Sequence, residues 1–428
     1  MKFRPLAVLI LLSLLGAGRA MGAGFALFEQ GVVALGRGGA AVAGPSNPAS
    51  VFYNPATLAG VHGTRVGITP SVIFFDDSYA GQDPYPGPGA HGETPTKAFP
   101  IPAVYLAHEL ASGLTSGIGL SAPFGLETDW RDSPNFAGRF LSQRARIEQV
   151  LGSAALGWQV NPRVRLGASL GLTSSKVILQ RAVTYPIPGQ PAAQEVGTAT
   201  LESGREWGLG GSVGIQFLQT ESLRWGALLR AGSAVDFDAA ATFQYSAVHT
   251  GNAREDSLIT SLLPQGQPAS TRIRFPAMAL VGGEYSLAPR LKMELDLNWT
   301  GWSVFDTLAV SFARDTTLSS RTPQNFHDAL ALRLGLEYQA SKNWTLRAGA
   351  YYDETPQPAE AMSPLLSDTD RIGFTGGFGW NAGPFRLDGY ALVLLFQDRS
   401  TGGQSLIHLD GSYKPRAFSA GLGVGFAL

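Results

Sequence analysis

The residues with catalytic or metal-binding potential in this sequence are few and scattered. The chain of 428 residues has six histidines and no cysteine, which excludes a thiol nucleophile and a Cys-ligated zinc site. His327 and Asp328 form an adjacent pair, but no GxSxG motif or metal-spaced histidine cluster accompanies them. A solvated histidine explains His327 better. The sequence therefore predicts no catalytic residue, no metal site and no cofactor.

A rigid, apolar stretch lies near the N-terminus. Residues 47–56 read NPASVFYNPA, with Asn-Pro-Ala on both sides of Phe52 and Tyr53. Proline fixes its own φ and holds the preceding residue extended, and asparagine can satisfy nearby backbone groups with its side chain. Two such turns predict a compact unit without regular ladders. The alternative is a simple helix start, because proline fits the first helical turn.

The first 22 residues have the pattern of a secretory signal. Lys2 and Arg4 precede a mostly apolar run of 13 residues, LAVLILLSLLGAG, and small residues follow it. A bilayer-spanning helix needs about 20 residues, so this run is too short to be an anchor. We predict a signal peptide over residues 1–22, with cleavage between Ala20 and Ala23, and export of the mature chain.

The composition narrows the choice of partners. Charged residues make up 15% of the chain and the net charge is −1, so the sequence offers no basic surface for nucleic acid. The absence of cysteine is typical of proteins that cross an oxidising periplasm unfolded.

The downstream chain alternates apolar with polar or small residues. Every second residue is apolar in RLKMELDLNWT (290–300), in HDALALRLGLEY (327–338) and over 418–428. Period two marks a strand with one apolar face, and a tilted strand crosses a bilayer with about 9 to 11 residues. A large soluble β-sandwich or solenoid is the alternative. The length of these runs, with Trp and Tyr near their ends, favours a membrane barrel.

The connections between these runs alternate between long and short. Fourteen strands are predicted, at 64–75, 101–110, 114–122, 146–160, 163–183, 199–218, 223–243, 270–287, 290–303, 325–339, 344–353, 371–382, 385–399 and 415–428. Barrels of the bacterial outer membrane have short periplasmic turns, long outer loops and an even strand number. The sequence therefore predicts an all-β fold, a 14-stranded antiparallel transmembrane β-barrel over residues 63–428, in the bacterial outer membrane.

Residues 23–62 do not follow the alternating pattern. They are rich in Ala and Gly and nearly uncharged, too apolar for a disordered tail and too broken for one long helix. A free tail would leave Phe25, Phe28, Phe52 and Tyr53 in water. We therefore predict an internal plug, or hatch, inside the barrel.

Several motifs resemble one known family. GFALFEQG, LGRGGAAVAG and NPASVFYNPATLAG resemble the N-terminal hatch of the FadL family of outer-membrane long-chain fatty acid transporters, which includes relatives that take up aromatic hydrocarbons. Its Asn-Pro-Ala turn corresponds to Asn54, Pro55 and Ala56. The resemblance continues through SAPFGLETDW (121–130), LNWTGWSVFD (297–306), NFHDALALRLGLEY (325–338), LRAGAYYDETP (346–356) and SDTDRIGFTGGFGW (367–380). It implies a 14-stranded barrel plugged by its N-terminus.

The resemblance also implies a mechanism. A hydrophobic ligand would be captured at the outer loops, pass to a pocket against the hatch, and leave sideways at an inward kink in the third strand. The third predicted strand ends in Ala122-Pro123-Phe124-Gly125, which makes Pro123 and Gly125 candidates for that opening. A simple strand end leading into a loop is the alternative. Phe25 and Phe28 either line the pocket or pack the plug.

Three arginines near the start of the fourth strand have two interpretations. Arg139, Arg144 and Arg146 could pair with a ligand carboxylate, or they could face lipopolysaccharide phosphates. The expected partners are hydrophobic small molecules, outer-membrane lipid and lipopolysaccharide, with no nucleic acid and a monomeric barrel. A nonspecific porin remains the alternative function, although porins lack an apolar N-terminal plug.

Overall fold

The structure is a computed structural model that describes residues 24–185, 194–245, 252–262, 266–314, 316 and 319–428. The predicted signal peptide lies outside the described residues. Within these ranges, every helix is too short or too polar to cross a membrane.

Most of the described chain is β-strand. The strands are β1 Thr64–Ile68, β2 Ser71–Asp76, β3 Ser78–Gly81, β4 His91–Glu93, β5 Lys97–Ile101, β6 Val104–Ala111, β7 Leu114–Asp129, β8 Arg144–Asn161, β9 Val164–Tyr185, β10 Gln194–Ser203, β11 Glu206–Leu218, β12 Leu223–Arg230, β13 Ser233–Tyr245, β14 Gln267–Phe275, β15 Met278–Ala288, β16 Leu291–Thr300, β17 Thr307–Phe312, β18 Ser320–Pro323, β19 Ala329–Gln339, β20 Trp344–Asp353, β21 Arg371–Ala382, β22 Phe385–Phe396, β23 Arg399–Ser400, β24 Gly411–Tyr413 and β25 Arg416–Ala427.

Short helices complete the described structure. The α-helices are Val32–Leu35, Ser50–Tyr53 and Ala253–Leu262, and the 3₁₀ helices are Pro55–Gly60, Ala137–Phe140, Trp302–Val304 and Ala359–Ala361.

Twenty-one of the strands form one closed antiparallel sheet. Some consecutive segments, such as β1 and β2 or β5 and β6, lie end to end and together form one long strand of the barrel wall. Counted in this way, the 21 segments make a 14-stranded barrel. The barrel closes where β1 pairs with β25 on one side and with β6 on the other. The predicted fold class and strand number are thereby confirmed. Closure lets every strand hydrogen-bond to two neighbours, which is required in a bilayer because lipid cannot hydrogen-bond to backbone N–H and C=O groups.

The barrel exposes its apolar side chains and buries its polar ones. In β16, Leu297 and Trp299 are 43% and 37% exposed, whereas Glu294, Asp296 and Asn298 are at most 2% exposed. This is the reverse of a soluble sheet, and it is the arrangement expected of a strand with lipid on one side and a polar interior on the other.

The long connections contain structure that the alternating pattern did not predict. Strands β3, β4, β23 and β24 form a separate four-stranded sheet. Beside it lies a buried cluster made of Tyr79, Trp130, Phe136, Met362, Leu409 and Tyr413. The predicted end of the third strand at residue 122 is wrong, because β7 continues to Asp129.

Candidate ligand cavity, wall gap and plug segment

Residues 24–61, here called the plug segment, pack against the inward-facing side chains of the barrel. Arg37 is fully buried, and its Nη2 lies 2.8 Å from Glu284 Oε2 and 2.6 Å from Glu294 Oε2. The next turn of the segment donates four successive backbone amides, those of residues 41–44, to Asp296 and Glu294 at 2.7–3.2 Å. Charge-assisted hydrogen bonds of this kind are stronger than neutral ones. Buried ionic contacts therefore fix an almost uncharged segment.

The Asn-Pro-Ala sequence at residues 54–56 begins a 3₁₀ helix. Asn54 is the N-cap of Pro55–Gly60, its Oδ1 accepts the Ala56 amide at 3.1 Å, and Pro55 occupies the first turn. The helix-start interpretation therefore describes the local backbone. The Asn54 side chain also donates to the carbonyl of Val42 at 2.7 Å, which ties two parts of the plug segment together.

Glycines in the barrel wall allow the plug segment to approach closely. A Cβ at Gly167 in β9 would lie 2.2 Å from Ala56 N and from Pro55 C. A Cβ at Gly214 in β11 would lie 2.0 Å from Asn54 Oδ1. A side chain at Gly167 would therefore displace the backbone of the 3₁₀ helix, and one at Gly214 would displace the Asn54 side chain that caps it.

Strand β7 changes register at Pro123. Ser121 pairs with Leu151 of β8 and Phe124 with Gln149, so Ala122 and Pro123 together oppose Val150. This two-against-one arrangement is a β-bulge, which bends its strand. The alternative of a simple strand end is therefore wrong: Pro123 lies in a bulge and Gly125 in the continuing strand.

The plug segment pairs with β7 at this bulge. Ala26 forms an isolated bridge with Phe124. Leu27 N donates to Pro123 O at 2.8 Å, and Gly125 N donates to Phe25 O at 3.1 Å. The start of the plug segment thus takes the place of a neighbouring strand.

The same bend leaves a gap in the barrel wall. The ladder between β6 and β7 ends at the Val104–Leu120 pair. Beyond it, β5 pairs with β2, and no ladder joins β5 to the outer half of β7 within the described residues. Pro100 and Pro102 lie at this edge. Because proline has no backbone N–H, neither residue leaves an unpaired donor at the gap.

A cavity of about 380 Å³ runs from the plug segment to this gap, which is within the usual range of small-molecule sites, about 300–1,000 Å³. Its walls are mainly apolar, and its lining includes Phe25, Leu27, Phe75, Phe99, Ile101, Phe124, Leu126, Ile147, Leu366, Leu394 and Phe396. The exposed Pro100 and Pro102 also line it. The cavity lining therefore extends from the plug segment to residues that are exposed at the gap.

The two predicted phenylalanines have different surroundings. Phe25 lines this cavity and packs on Trp302 and Phe305, with ring centroids 4.6 and 5.3 Å apart. The Phe28 ring lies instead under the Arg333 guanidinium, 4.2 Å from its centroid. The structure thus places Phe25 in the cavity wall and Phe28 in the packing of the plug segment.

The three predicted arginines are paired with carboxylates. Arg139 Nε lies 2.7 Å from Glu195 Oε2, and Arg144 Nη2 lies 3.1 Å from Glu127 Oε1. Arg146, which lines the cavity at the gap, pairs with Glu127 at 3.3 Å and with Glu148. Their charges are therefore already compensated, which weakens both predicted roles.

Sequence reasoning missed Arg181. It lines a second, largely apolar cavity of about 140 Å³, together with Leu179, Val183, Leu201, Phe243, Leu308, Val310 and Phe312. In the described part of the chain no carboxylate forms an ion pair with it. The available signal was a lone arginine in VILQRAV (177–183), a stretch that is otherwise apolar apart from Gln180.

Asp368, in the connection before β21, holds the start of the plug segment. Its Oδ2 accepts hydrogen bonds from Gly24 N at 3.1 Å and from Thr355 Oγ1 at 2.7 Å. Burial raises the pKa of Asp368 to about 6. This carboxyl therefore changes charge close to neutral pH.

These features define an outer-membrane transport barrel. The chain belongs to the outer membrane protein transport protein family (OMPP1/FadL/TodX), whose family model matches residues 13–401. The family prediction and the outer-membrane location are thereby confirmed.

Relatives and solved structures agree with this assignment. The long-chain fatty acid transport protein of Escherichia coli O6:H1 is 25% identical, and the match covers 84% of this chain and 83% of that protein. The crystal structure of a Pseudomonas aeruginosa FadL homologue superposes with a TM-score of 0.80 at 21% identity, covering 95% of this chain and 100% of the other. The toluene transporter TodX of P. putida gives 0.70 at 15% identity, covering 94% and 99%. These structural likenesses concern the fold.

Proposed function

We propose that this protein takes up long-chain fatty acids, or similar hydrophobic molecules, and releases them sideways into the outer membrane. The ligand enters at the outer loops, reaches the cavity beside Phe25, and leaves through the gap between β5 and β7 when the plug segment moves. The observation that carries this proposal is the apolar cavity that extends from Phe25 to Pro100.

The chemistry of the ligand favours such a path. Each CH₂ gains about 0.8 kcal/mol on leaving water, so a continuous apolar wall lets a long chain move without returning to the aqueous phase. The charged groups of Arg146 and Glu148 line the same cavity at the gap. A ligand with a polar head and an apolar tail matches this combination.

Fatty acids are favoured over uncharged hydrocarbons by Arg181. Arg181 is exposed, it borders a largely apolar cavity, and it forms no ion pair with a carboxylate among the described residues. A guanidinium in such a place can bind both oxygens of a ligand carboxylate. The relative from E. coli is described as a long-chain fatty acid transport protein. A monoaromatic hydrocarbon is the second candidate, because the TodX neighbour is described as a toluene transporter.

A porin function is opposed by the plug segment. Arg37 and the amides of residues 41–44 anchor it to carboxylates of the barrel wall. A permanently open, water-filled lumen would require these buried groups to separate. The family relatives are named as transport proteins, and this favours transport over catalysis.

The test is uptake of labelled oleate and of toluene by cells that lack their own transporter of hydrophobic compounds. Pro100→Trp places a large side chain at the outward end of the cavity, and we expect oleate uptake to fall at least fivefold at equal outer-membrane abundance. Ala98→Trp is the matched control, because Ala98 is exposed on the same strand and does not line the cavity.

The outcomes separate the alternatives. Loss of uptake in Pro100→Trp but not in Ala98→Trp supports lateral release, and the compound taken up identifies the ligand class. If Pro100→Trp took up oleate as fast as Ala98→Trp, release through the gap would be contradicted. Faster entry of small sugars, without oleate or toluene, would favour the porin.

A further inference from the structure

The short turns of the barrel carry more positive than negative charge. Six of them join neighbouring strands at the end that faces the periplasm, at residues 112–113, 162–163, 219–222, 289–290, 340–343 and 383–384. Their charged residues are Arg163, Glu221, Arg290 and Lys342. Arg290 and Lys342 are exposed, and among the described residues neither side chain forms an ion pair. Both charges are therefore free to attract an anion.

Arg290 and Lys342 lie on two turns that are side by side. The amide of Gln339, at the end of β19, donates to Arg290 O at 2.8 Å, directly before the turn that carries Lys342. That turn is held in shape by Ser341, whose Oγ accepts the amides of residues 343 and 344 at 3.3 and 3.1 Å. The two cations therefore project from one ordered part of the periplasmic rim.

Aromatic side chains face the lipid next to these two cations. Tyr338, Trp344 and Trp380 are 39–46% exposed. Tyr338 pairs with the residue that follows Arg290, and Trp344, two residues beyond Lys342, pairs with Trp380. Exposed Trp and Tyr side chains mark the level of the lipid headgroups. Arg290 and Lys342 therefore lie at the headgroup level of the inner leaflet of the outer membrane.

The carboxylates of this region are already in use. Glu337 is paired with Arg347 at 2.9 Å, and Glu284 is paired with Arg37 and Arg224 in the barrel interior. Glu221 belongs to the next turn around the rim, and it forms no ion pair with Arg290 among the described residues. The exposed surface here combines two free cations with three aromatic side chains.

We propose that Arg290, Lys342, Tyr338, Trp344 and Trp380, here called the rim patch, bind an anionic phospholipid of the inner leaflet. The planar guanidinium and the lysine ammonium bind the phosphate oxygens, while the aromatic rings contact the glycerol and the upper part of the acyl chains. A soluble acidic polymer could use the two cations, but it would leave the aromatic side chains without a role. This inference does not depend on the molecule that the barrel transports.

The charge of the headgroup decides which lipid is preferred. Phosphatidylglycerol brings one net negative charge to the rim patch, whereas phosphatidylcholine brings an ammonium together with its phosphate. Each basic residue near an anionic lipid surface favours binding about fivefold. Two such residues should therefore give phosphatidylglycerol an advantage of at least fivefold over phosphatidylcholine.

The test uses a fluorophore beside the rim patch. The chain has no cysteine, and Leu346 is exposed two residues beyond Trp344 on β20, so Leu346→Cys provides a single labelling position. In nanodiscs, half-quenching by nitroxide-labelled phosphatidylglycerol should need at least fivefold less lipid than half-quenching by nitroxide-labelled phosphatidylcholine. Substituting both Arg290→Gln and Lys342→Gln should reduce this preference to less than twofold. Arg290→Lys should keep it above threefold, because the charge remains.

Two controls separate the rim patch from general attraction to lipid. Leu110→Cys places the fluorophore at another exposed position near a short turn, but that turn, Ser112-Gly113, is uncharged, so the preference there should stay below twofold. Substituting both Arg254→Gln and Arg321→Gln, at exposed arginines of the long connections, should leave the preference at Leu346→Cys unchanged. All substituted arginines and lysines are exposed, so we expect each variant to melt within a few degrees of the parent protein.

The remaining outcomes would overturn the proposal. Equal quenching by the two lipids at Leu346→Cys would show that no anionic lipid is preferred there. The same preference at Leu110→Cys, or an unchanged preference after removal of both cations, would show that the rim patch is not responsible. Binding of the barrel to purified peptidoglycan that is lost with the two cations, without a change in lipid preference, would assign the cations to an acidic polymer instead.

Discussion

Replacing Arg37 with Met should release the plug segment without unfolding the barrel. Arg37 pairs with two buried carboxylates, Glu284 and Glu294. Without Arg37, Glu284 still has Arg224 as an ion-pair partner, whereas Glu294 has no other cation in an ion pair among the described residues and accepts the amides of residues 43 and 44. Removing one member of a buried ion pair costs about 3–5 kcal/mol. At about 1.36 kcal/mol for each power of ten, the equilibrium for detachment of the plug segment should shift by about two to four powers of ten.

The assay labels a single introduced cysteine, Ser50→Cys, with a maleimide in purified protein. The chain has no other cysteine, and Ser50 is buried in the plug segment, so the thiol reacts only when the segment detaches. When closing is faster than labelling, the maleimide reaction rate is proportional to the detached population, so Arg37→Met should raise it by at least a hundredfold, about the lower end of that range. Because β1 to β25 keep their ladders, the melting temperature of the barrel should change by only a few degrees. Arg272→Gln, an exposed ion-pair variant, should label at the wild-type rate.

A second substitution makes the reasoning refutable. Glu294→Gln in the Arg37→Met background removes the uncompensated charge and keeps an oxygen for the Ala43 amide, so labelling should return most of the way to the wild-type rate. The argument is refuted if the double variant labels as fast as Arg37→Met. A change of less than tenfold in Arg37→Met would also refute it.

Two further predictions concern the wall and the loops. Gly167→Val should displace the 3₁₀ helix Pro55–Gly60 and raise the labelling rate of Ser50→Cys at least tenfold. Gly152→Val is the control and should leave the rate unchanged, because a Cβ at Gly152 meets nothing within 4 Å. Equal labelling of the two variants would show that the close approach of the helix to Gly167 is unimportant. Asp368 should lower the stability of the protein as the pH rises from about 4 to 7, because burial raises its pKa from 3.8 to about 6 and the folded chain holds a proton that the unfolded chain has already lost. This contribution is about 3 kcal/mol at most. Relative to the wild type, Asp368→Asn should therefore shift the dependence of the melting temperature on pH by this contribution, and an unchanged slope would contradict the assignment.

The barrel could be predicted from sequence because its signal is local. A strand such as β16 shows its two faces in ten consecutive residues, and the apolar composition of residues 23–62 separates the plug segment from the alternating chain. Fold class and strand number followed from these patterns and from the lengths of the connections.

The site could not be predicted because its contacts are distant in sequence. Arg37 meets Glu284 and Glu294 across 247 and 257 positions, and in the sequence both glutamates look like ordinary members of a polar face. The carboxylate partners of Arg139 and Arg144 could not be predicted for the same reason, since Glu195 and Glu127 come next to them only in the folded chain. At Pro123 the sequence left both a kink and a simple strand end open, because a proline signals either outcome, and the strand bound at residue 122 was therefore predicted too early.

The long separation in sequence between Arg37 and its two carboxylate partners also bears on the order of assembly. The plug segment is synthesised first, but the carboxylates that bind it belong to β15 and β16, more than halfway along the chain. Until those strands are in place, Arg37 has no buried carboxylates to pair with and stays in water, because burying it unpaired is unfavourable. Closing such a long loop is also slow. We therefore expect the plug segment to dock late, so that the part of the chain made first is among the last to reach its native position.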